Sequence, residues 1–340
     1  MNILLTSVGR RTYLIEYFKE ALSTTGGKVF ASNSIKTYSL SIADEYLITP
    51  TIYSDDYIPT LLSFCKNKNI DIIISLFDID LPILSKNKKI FKQQNIDVII
   101  SDENVINICN DKWKTYLFLK ENNIKTPVTY ISISEAKKSL LSGALKYPII
   151  IKPRWGMGSI GIYKADNLEE LDVLYRKVKN DILSSYLIYE SSIDFSHSIL
   201  IQEYIAGSEY GIEIINDLDS NYITTFCKKK IAMRSGETDQ AITIDNIELK
   251  ELGKVISNKI KHLSILDTDC LKKDNEFYVL EMNARFGGQY PFSHLAGANI
   301  PKQIIEWYQG KCTSNNNITI KYGVLSCKDI QPKIIDDYDN

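Results

Sequence analysis

The first hundred residues alternate short apolar runs with amphipathic segments, and this alternation limits the fold more than any other feature of the chain. Strands are predicted at residues 3–6, 29–32, 71–76 and 97–101, and helices at residues 12–23 and 56–67. Strands that alternate with helices are typical of a parallel, doubly wound sheet. The beginning of the chain therefore predicts an α/β domain.

Ligands of such sheets bind beyond the carboxyl ends of the strands. Two turns lie at that edge, residues 7–11 and residues 77–80. Each turn fits a structural role as well as a ligand-binding role, although Arg10 or Arg11 could hold an acidic substrate. Gly9 does not by itself make a GxGxxG fingerprint, so a dinucleotide cofactor is not indicated.

Composition and charge argue against several classes of protein. The 340 residues carry a formal net charge of −2 and are 44% hydrophobic, which suits two or three compact lobes. We expect no nucleic-acid partner, because Lys and Arg form no long basic run. We expect no membrane partner, because no apolar run is long enough to span a bilayer. The six scattered cysteines, and a first strand that precedes Arg10 and Arg11, favour the cytoplasm over secretion.

A strand near residue 280 carries the strongest signal for chemistry. Residues 277–283 are rich in aromatic and branched side chains, and alternation places Glu281, Asn283 and Arg285 on one face. Two oxygen donors at adjacent positions of one face suit Mg²⁺. The alternative is an edge strand whose polar face meets solvent, which is the more frequent arrangement in an arbitrary protein.

The preceding strand supports the metal interpretation. Asp267 and Asp269 have the parity to face Glu281 across a hairpin whose connection is residues 272–276. Like charges in facing positions are destabilising unless a cation lies between them. Both aspartates remain candidates for the ligand that completes the site.

A lysine followed by a glycine-rich hairpin tip indicates a phosphate site. Lys152 ends a short apolar strand. The tip that follows can close over phosphates with the backbone N–H groups of Gly156, Gly158, Ser159 and Gly161. It is not a Walker A loop, because Ile162 and Tyr163 stand where Lys and Ser or Thr are required. Glycine also serves tight turns, so the hairpin by itself is weak evidence.

Three further segments allow a functional and a structural interpretation. Lys112 lies near the start of a predicted helix and by itself would be interpreted as solvated. The basic cluster that includes Lys230 and Arg234 fits a solvated face as well as a phosphate or carboxylate site. Residues 289–292 and His294 follow the strand at residues 277–283, which we call the metal strand. They fit a packed core as well as a substrate pocket.

Five of these signals occur in a fixed order along the chain. They are DK at residues 111–112, PIIIKP at 148–153, the glycine-rich loop, QEYIAGSEY at 202–210 and EMNAR at 281–285. With them the chain resembles the ATP-grasp family, and it is similar to carboxylate–amine ligases such as one ATP-binding half of the carbamoyl-phosphate synthase large subunit. The resemblance covers nearly the whole chain. It departs at Asp269, where relatives often carry Gln or Glu, and at Ala284, where proline is common.

The resemblance implies an ATP-grasp fold preceded by a Rossmann-like parallel-sheet domain. The expected division is residues 1–108 for this pre-ATP-grasp domain, 109–205 for a small lobe with the glycine-rich loop, and 206–312 for a large lobe with the metal site. Residues 313–340 form a tail without a predicted role. Relatives often pair, so a homodimer is also expected.

The resemblance also implies ATP and two Mg²⁺ ions as cofactors, with Mn²⁺ as a substitute, and a role for each matching position. Phosphate contacts are implied for Lys112, Lys152, Gly156, Gly158, Ser159 and Gly161. Contacts to adenine and ribose are implied for Glu203, Tyr204, Ile205 and Glu209. Metal coordination is implied for Asp269, Glu281 and Asn283, with Asp267 a near-equal candidate for the first position. Charge stabilisation at the transferred phosphoryl group is implied for Arg285, Arg234 and Lys230.

The implied activity joins a small-molecule carboxylate to an amine or ammonia. ATP would phosphorylate the carboxylate to an acyl phosphate, and the amine would then displace phosphate to form an amide. This chemistry needs no side-chain nucleophile. The alternatives are an ATP-dependent small-molecule kinase and a nucleotide-binding module without catalysis. The presence of Lys152, Glu281 and Asn283 argues against the module.

Overall fold

The amino-terminal part of the chain is a parallel sheet with intervening helices. The computed structural model describes residues 1–311 and 317–335. The strands are β1 (Ile3–Thr6), β2 (Val29–Asn33), β3 (Glu45–Ile48), β4 (Ile72–Ser75) and β5 (Asp97–Val98), paired in the order β3-β2-β1-β4-β5. The helices are α1 (Thr12–Leu22), α2 (Tyr38–Ile42), α3 (Tyr57–Asn67), α4 (Asp80–Lys92) and α5 (Glu103–Asn110). The predicted doubly wound sheet is confirmed.

Strands β1 and β4 lie side by side within this sheet and are buried along their whole length. Their apolar sequences match this burial, because helices cover both faces of a parallel sheet. The strand predicted at residues 97–101 is shorter in the structure, where only Asp97 and Val98 pair with β4. The chain turns directly afterwards, and the N–H of Ile100 donates to the Val98 carbonyl at 3.0 Å.

The next part of the chain, the small lobe, is an antiparallel sheet. Its strands are β6 (Thr129–Tyr130), β7 (Ile149–Pro153), β8 (Tyr163–Ala165) and β9 (Ile199–Glu203), in the order β6-β9-β7-β8. Its helices are α6 (Lys112–Glu121), α7 (Ile133–Leu141), α8 (Leu168–Leu183) and α9 (Ile188–Ser191), followed by a 3₁₀ helix at Ser192–His197. β7 and β8 form the hairpin with the glycine-rich tip, as predicted.

The large lobe is a six-stranded antiparallel sheet in the order β14-β13-β10-β11-β12-β15. Its strands are β10 (Ser208–Asn216), β11 (Tyr222–Arg234), β12 (Glu237–Ile244), β13 (Ile265–Lys273), β14 (Glu276–Asn283) and β15 (Leu325–Cys327). Its helices are α10 (Ile247–Ile260), α11 (Tyr290–Leu295) and α12 (Ile300–Tyr308). β15, from the stretch predicted as a tail, pairs with β12. Residues 312–316 and 336–340, which belong to the predicted large lobe and tail, lie outside the described residues.

The register between β13 and β14 places acidic side chains opposite each other. Asp267 faces Asn283, and Asp269 faces Glu281. The pairing shifts by one residue at Leu280, and this bulge is essential, because an unshifted register would place Asp269 opposite Leu280. Facing residues of a sheet point to the same side, so these four polar side chains share one face.

The apolar core joins the first domain to the large lobe and leaves the small lobe with a core of its own. One cluster contains Leu4 and Ile73 of the first sheet together with Ile212 and Met282 of the large sheet. A separate cluster, which includes Ile149, fills the small lobe. Among the helices within residues 1–311 and 317–335, none combines the length and apolar character needed to cross a bilayer.

Candidate active site

Glu281 and Asn283 line a pocket where the three parts of the chain meet. The pocket is also lined by Lys112 and Gly156 of the small lobe and by Asp78 of the first domain. Within residues 1–311 and 317–335, no hydrogen bond occupies the Glu281 carboxylate or the Asn283 side-chain amide. Two of the three predicted metal ligands therefore lie beside a predicted phosphate-binding lysine and the glycine-rich loop.

The oxygen donors of this pocket suit Mg²⁺, which completes its shell with water and phosphate. They suit less well a metal ion that takes all its ligands from protein side chains. Across the described ranges, no three His, Cys, Asp or Glu side chains converge on one metal position. Mg²⁺ needs only one or two carboxylates, because water and phosphate oxygens complete its octahedral shell. A carboxylate and an amide oxygen that open onto a pocket suit that chemistry.

Asp269 lies opposite Glu281 and is paired with Lys230. The Lys230 Nζ donates to Asp269 Oδ1 at 2.6 Å. Desolvation raises the pKa of Asp269 to about 6, and the carboxylates of Asp267 and Glu281 act in the same direction, whereas Lys230 opposes them. Crowded carboxylates of this kind favour a bound cation. The structure thus brings Lys230, Asp269 and Glu281 together, and their predicted roles stay predictions.

Asp267, the other candidate for the first metal position, is occupied by protein donors. Its Oδ2 accepts from Arg285 Nη1 at 3.1 Å, and its Oδ1 accepts from Gln289 Nε2. A Cβ on Gly287 would overlap the same carboxylate, so this close approach requires glycine. The geometry therefore favours Asp269, which faces Glu281 directly, over Asp267.

Arg285 connects the large lobe to the first domain. Its Nε and Nη2 donate to Asp78 Oδ2 at 3.0 and 2.7 Å, while Nη1 reaches Asp267. The side chains of all three residues are only 9–10% exposed. A guanidinium shared between two buried carboxylates is held in one orientation, because its planar fork fixes the geometry of each contact.

Lys112 and Lys152 approach from the small lobe. The Lys112 Nζ donates to the Gly156 carbonyl. Lys152, on β7, is 7% exposed, and its Nζ donates to Gln202 Oε1 at 2.8 Å. Burial lowers the pKa of Lys152 to about 8, and the charge of Lys112 acts in the same direction. Two neighbouring cations, one of them buried, favour binding of an anion such as a phosphate.

Asp111 and Arg154 fix the positions of these two lysines. Asp111 caps α6, because its side chain accepts from two backbone N–H groups of the first turn. It also accepts from Arg154 Nε at 2.8 Å and Nη2 at 2.7 Å. Since Asp111 precedes Lys112 and Arg154 lies two residues after Lys152, this buried ion pair joins the two phosphate-site elements. No local sequence pattern distinguishes Arg154 as a site residue.

The glycine-rich loop contacts the hairpin between β11 and β12. Gly158 and Gly161 have φ values of +65° and +70°, so glycine is needed for the shape of the loop. A Cβ on Gly236, in the β11–β12 turn, would lie 2.6 Å from Ser159 Oγ and 2.9 Å from the carbonyl carbon of Gly158. The loop of the small lobe therefore rests against the large lobe.

We expect Gly236→Ala to lower substrate-dependent ADP release about 10-fold, because the added methyl group would clash with Ser159 and the Gly158 backbone and hinder loop closure. Gly143→Ala is the matched control. Both glycines have positive φ, +77° and +76°, but a Cβ on Gly143 has no neighbour within 4 Å. Steady-state rates of the two variants are compared, and equal rates would show that the contact plays no part in turnover.

The residues predicted to hold adenine and ribose lie at and after the end of β9. The Glu203 Oε2 accepts from the Val128 N–H at 3.2 Å. Tyr204 is 40% exposed and Ile205 is 4% exposed, while Glu209 lies exposed on β10. These residues do not line the pocket around Glu281. Their nucleotide-binding roles stay predictions.

Arg234, a predicted catalytic helper, lies apart from Lys230 and Arg285. Its Nη2 donates to Asp239 Oδ2 at 2.9 Å, and its side chain is 49% exposed at the end of β11. The pairing of β11 with β12 explains why Arg234 and Lys230 lie in different places. Lys230 faces Ala241 within the sheet, whereas Arg234 lies at the end of β11, next to the β11–β12 turn.

The two turns at the edge of the first sheet have different roles. In the turn after β4, Asp80 is fully buried and accepts from Ser75 Oγ at 2.9 Å and from Tyr57 at 2.7 Å, which is a structural role. In the turn after β1, Arg11 donates to the Phe286 carbonyl at 2.9 Å and so supports the segment after the metal strand. Arg10 is exposed.

The segment after the metal strand is mainly packed core. Tyr290 and Phe292 are fully buried, and His294 stacks on Tyr17 with ring centroids 3.5 Å apart. Gln289 contributes to the site indirectly, because it donates to Asp267. Gly211 leaves the space that the Gln289 side chain fills.

Two acidic residues of the pocket were not among the predicted site residues. Asp78 belongs to the turn at residues 77–80, for which a structural and a ligand-binding role were both left open, and Glu190 lies on α9, in a segment without a recognisable pattern. A carboxylate placed directly after a buried strand was an available signal for Asp78. No local signal pointed to Glu190.

Comparisons with known proteins agree with this architecture. A family model described as an ATP-grasp domain matches residues 109–289, and one described as a PylC-like N-terminal domain matches residues 3–99. The chain therefore belongs to the ATP-grasp family, and the predicted fold is confirmed. The precise domain boundaries and the homodimer stay predictions.

Individual relatives are distant. The chain is 24% identical over 261 residues to the carbamoyl phosphate synthase large chain of Helicobacter pylori, covering 74% of this chain and 23% of that protein. The chain spans about a quarter of the length of the first such relatives. Biotin carboxylase from Campylobacter jejuni has the same fold, with a TM-score of 0.73 and 17% identity over 94% of this chain and 73% of that one. L-amino acid ligase from Bacillus licheniformis has a TM-score of 0.65 and 20% identity over 90% and 73% of the two chains.

Proposed function

We propose that the protein is an ATP- and Mg²⁺-dependent carboxylate–amine ligase that forms an amide through an acyl phosphate and releases ADP and phosphate. One observation carries the proposal: a single pocket combines the metal donors Glu281 and Asn283 with Lys112 and Gly156. The relatives named carbamoyl phosphate synthase and L-amino acid ligase support ligase chemistry.

In this proposal Asp269, Glu281 and Asn283 hold Mg²⁺, which neutralises charge on the transferring phosphoryl group when bound. Lys112 and Lys152 offset the charge of the ATP phosphates. Glu203, Tyr204, Ile205 and Glu209 hold the nucleoside, as the family resemblance implies. Arg285, oriented by two carboxylates, stabilises charge at the reacting carboxylate, and Lys230 and Arg234 assist.

In the proposed reaction the bonds change in two steps. The carboxylate oxygen takes the γ-phosphoryl group of ATP, and ADP is the leaving group. The glycine-rich loop then excludes water, which would otherwise hydrolyse the acyl phosphate. The amine nitrogen attacks the carbonyl carbon, the bond from that carbon to the phosphate oxygen breaks, and the amide and phosphate are released.

The test measures ADP and phosphate release over a panel of carboxylic acids, each with and without amines. A ligase releases ADP and phosphate only when a suitable acid and amine are both present. ADP without free phosphate would instead identify a kinase. No turnover across a broad panel, with MgATP binding retained, would identify a binding module and contradict the proposal.

A further inference from the structure

The pocket that contains Glu281 and Asn283 has a second, acidic wall. Asp78 follows β4 of the first domain, and Glu190 lies on α9 of the small lobe. Both line the pocket, next to Cys109 and Asn110. The two carboxylates come from elements far apart in sequence, and neither belongs to the metal or phosphate groups assigned above.

Asp78 has one oxygen atom without a donor. The side chain is 10% exposed, and Arg285 donates twice to its Oδ2. In the part of the chain that the structure describes, the buried Oδ1 has no hydrogen-bond partner. Buried carboxylate oxygens are nearly always paired, since an unsatisfied one loses its hydration without compensation. An N–H donor from a ligand in the pocket would satisfy it.

Glu190 is held in the pocket by a contact between domains. The neighbouring Tyr189 stacks on Tyr53 of the first domain, with ring centroids 4.3 Å apart and planes 17° from parallel. Within residues 1–311 and 317–335 the Glu190 carboxylate makes no hydrogen bond. Burial raises the pKa of Glu190 to about 7, Lys112 opposes this shift, and Asp78 supports it.

The charges around this wall favour a cationic ligand. Arg285 is shared by two carboxylates, and Arg154 is paired with Asp111 and Asp194. Lys112 is assigned to phosphate in the proposed function, which leaves Glu190 without a countercharge. A metal held by protein ligands alone suits the wall poorly, because no three His, Cys, Asp or Glu side chains converge within the described ranges, and Mg²⁺ is assigned to Glu281 and Asn283 in the proposed function. An ammonium group suits the wall well, because its three N–H donors can bond to more than one carboxylate of the same pocket.

We propose that Asp78 and Glu190 form the subsite of the acceptor amine, which binds as an ammonium ion beside the metal ligands. The inference rests on the proposed ligase function, because the acceptor must reach an acyl phosphate held near Glu281 and Asn283. Glu190 takes one proton from the ammonium group and so frees the nitrogen lone pair. The amine forms the C–N bond as the carbon–oxygen bond to phosphate breaks, and its second proton leaves with phosphate.

A binding experiment tests the subsite without turnover. Glu190→Gln keeps the shape of the side chain and removes its charge, and Glu169→Gln, at the exposed start of α8, is the matched control. Ammonium chloride, ethanolamine and ornithine are titrated calorimetrically into each full-length protein with Mg²⁺ and a non-hydrolysable ATP analogue. We expect at least one probe to bind the wild type and Glu169→Gln, and to bind Glu190→Gln about 10-fold more weakly. Equal affinities, or no binding to the wild type, would overturn the subsite.

A second measurement separates this inference from the ligase proposal. Hydroxylamine is uncharged at neutral pH and traps acyl phosphates as hydroxamates without a base. With an accepted acid, Glu190→Gln should keep hydroxamate formation and lose amide formation about 100-fold. An equal loss of both products would contradict the role of Glu190. If no acid yields hydroxamate in the wild type, the ligase proposal fails, while the binding experiment still decides whether Asp78 and Glu190 hold an amine.

Discussion

Glu281→Gln is expected to lower Mg²⁺-dependent ATP turnover by about 10²- to 10³-fold while the protein stays folded. Glu281 is the carboxylate that opens onto the pocket beside Asn283 and Lys112, without a protein donor among the described residues. A glutamine keeps one oxygen donor and loses the negative charge that neutralises the ion. The loss should therefore be smaller at high Mg²⁺ concentration than at low concentration.

Glu276→Gln is the matched control for this prediction. Glu276 lies on the same strand, but it is paired with Lys125 at the surface. The same loss of charge there should leave turnover unchanged. ADP release is measured over a range of Mg²⁺ concentrations, with circular dichroism to verify folding. Undiminished turnover in a folded Glu281→Gln variant would remove Glu281 from the metal site.

Arg285→Ala is expected to remove turnover and to lower the free energy of unfolding by about 3–5 kcal/mol. The guanidinium is shared by Asp78 and Asp267, whose side chains are 10% and 9% exposed. Removing it leaves two buried carboxylates in close proximity without their countercharge. Urea unfolding measures the stability, and the midpoint should move to lower urea concentration.

A second substitution separates the lost ion pair from the lost side-chain packing. Adding Asp78→Asn to Arg285→Ala removes one of the unpaired charges, so part of the lost stability should return. Arg176→Ala, on the exposed face of α8, is the control and should change stability by less than about 0.5 kcal/mol. A double variant no more stable than Arg285→Ala would show that the unpaired charge of Asp78 is not the cause.

The elements of the site followed from local sequence patterns. Period-two alternation at residues 277–283 predicted that Glu281 and Asn283 share a face, and the structure has both on β14 beside one pocket. The hairpin with the glycine-rich tip after Lys152 was predicted because its tip and its two strands are adjacent in sequence. In the structure β7 and β8 pair as this hairpin. Such features depend on neighbours a few residues away, which is why a single sequence reveals them.

The preference for Asp269 over Asp267 as the proposed first metal ligand rests on the tertiary structure. Parity alone allowed either aspartate to face Glu281. The bulge at Leu280 places Asp269 opposite Glu281, while Arg285 and Gln289 occupy Asp267. A bulge is a property of two paired strands, so the alternation within one strand does not reveal it.

The sequence by itself determined the strand–helix alternation of the first domain, the strand that carries Glu281 and Asn283, and the glycine-rich hairpin, because periodicity and glycine spacing are local, whereas the ATP-grasp fold followed from the family resemblance. Only the tertiary structure decided what surrounds them. Arg285 is held by Asp78 from 207 positions away, and Glu190 reaches the same pocket from a segment without any pattern. Contacts over such distances arise from the packing of whole domains, and packing of apolar cores leaves no local signature in the polar residues that it brings together.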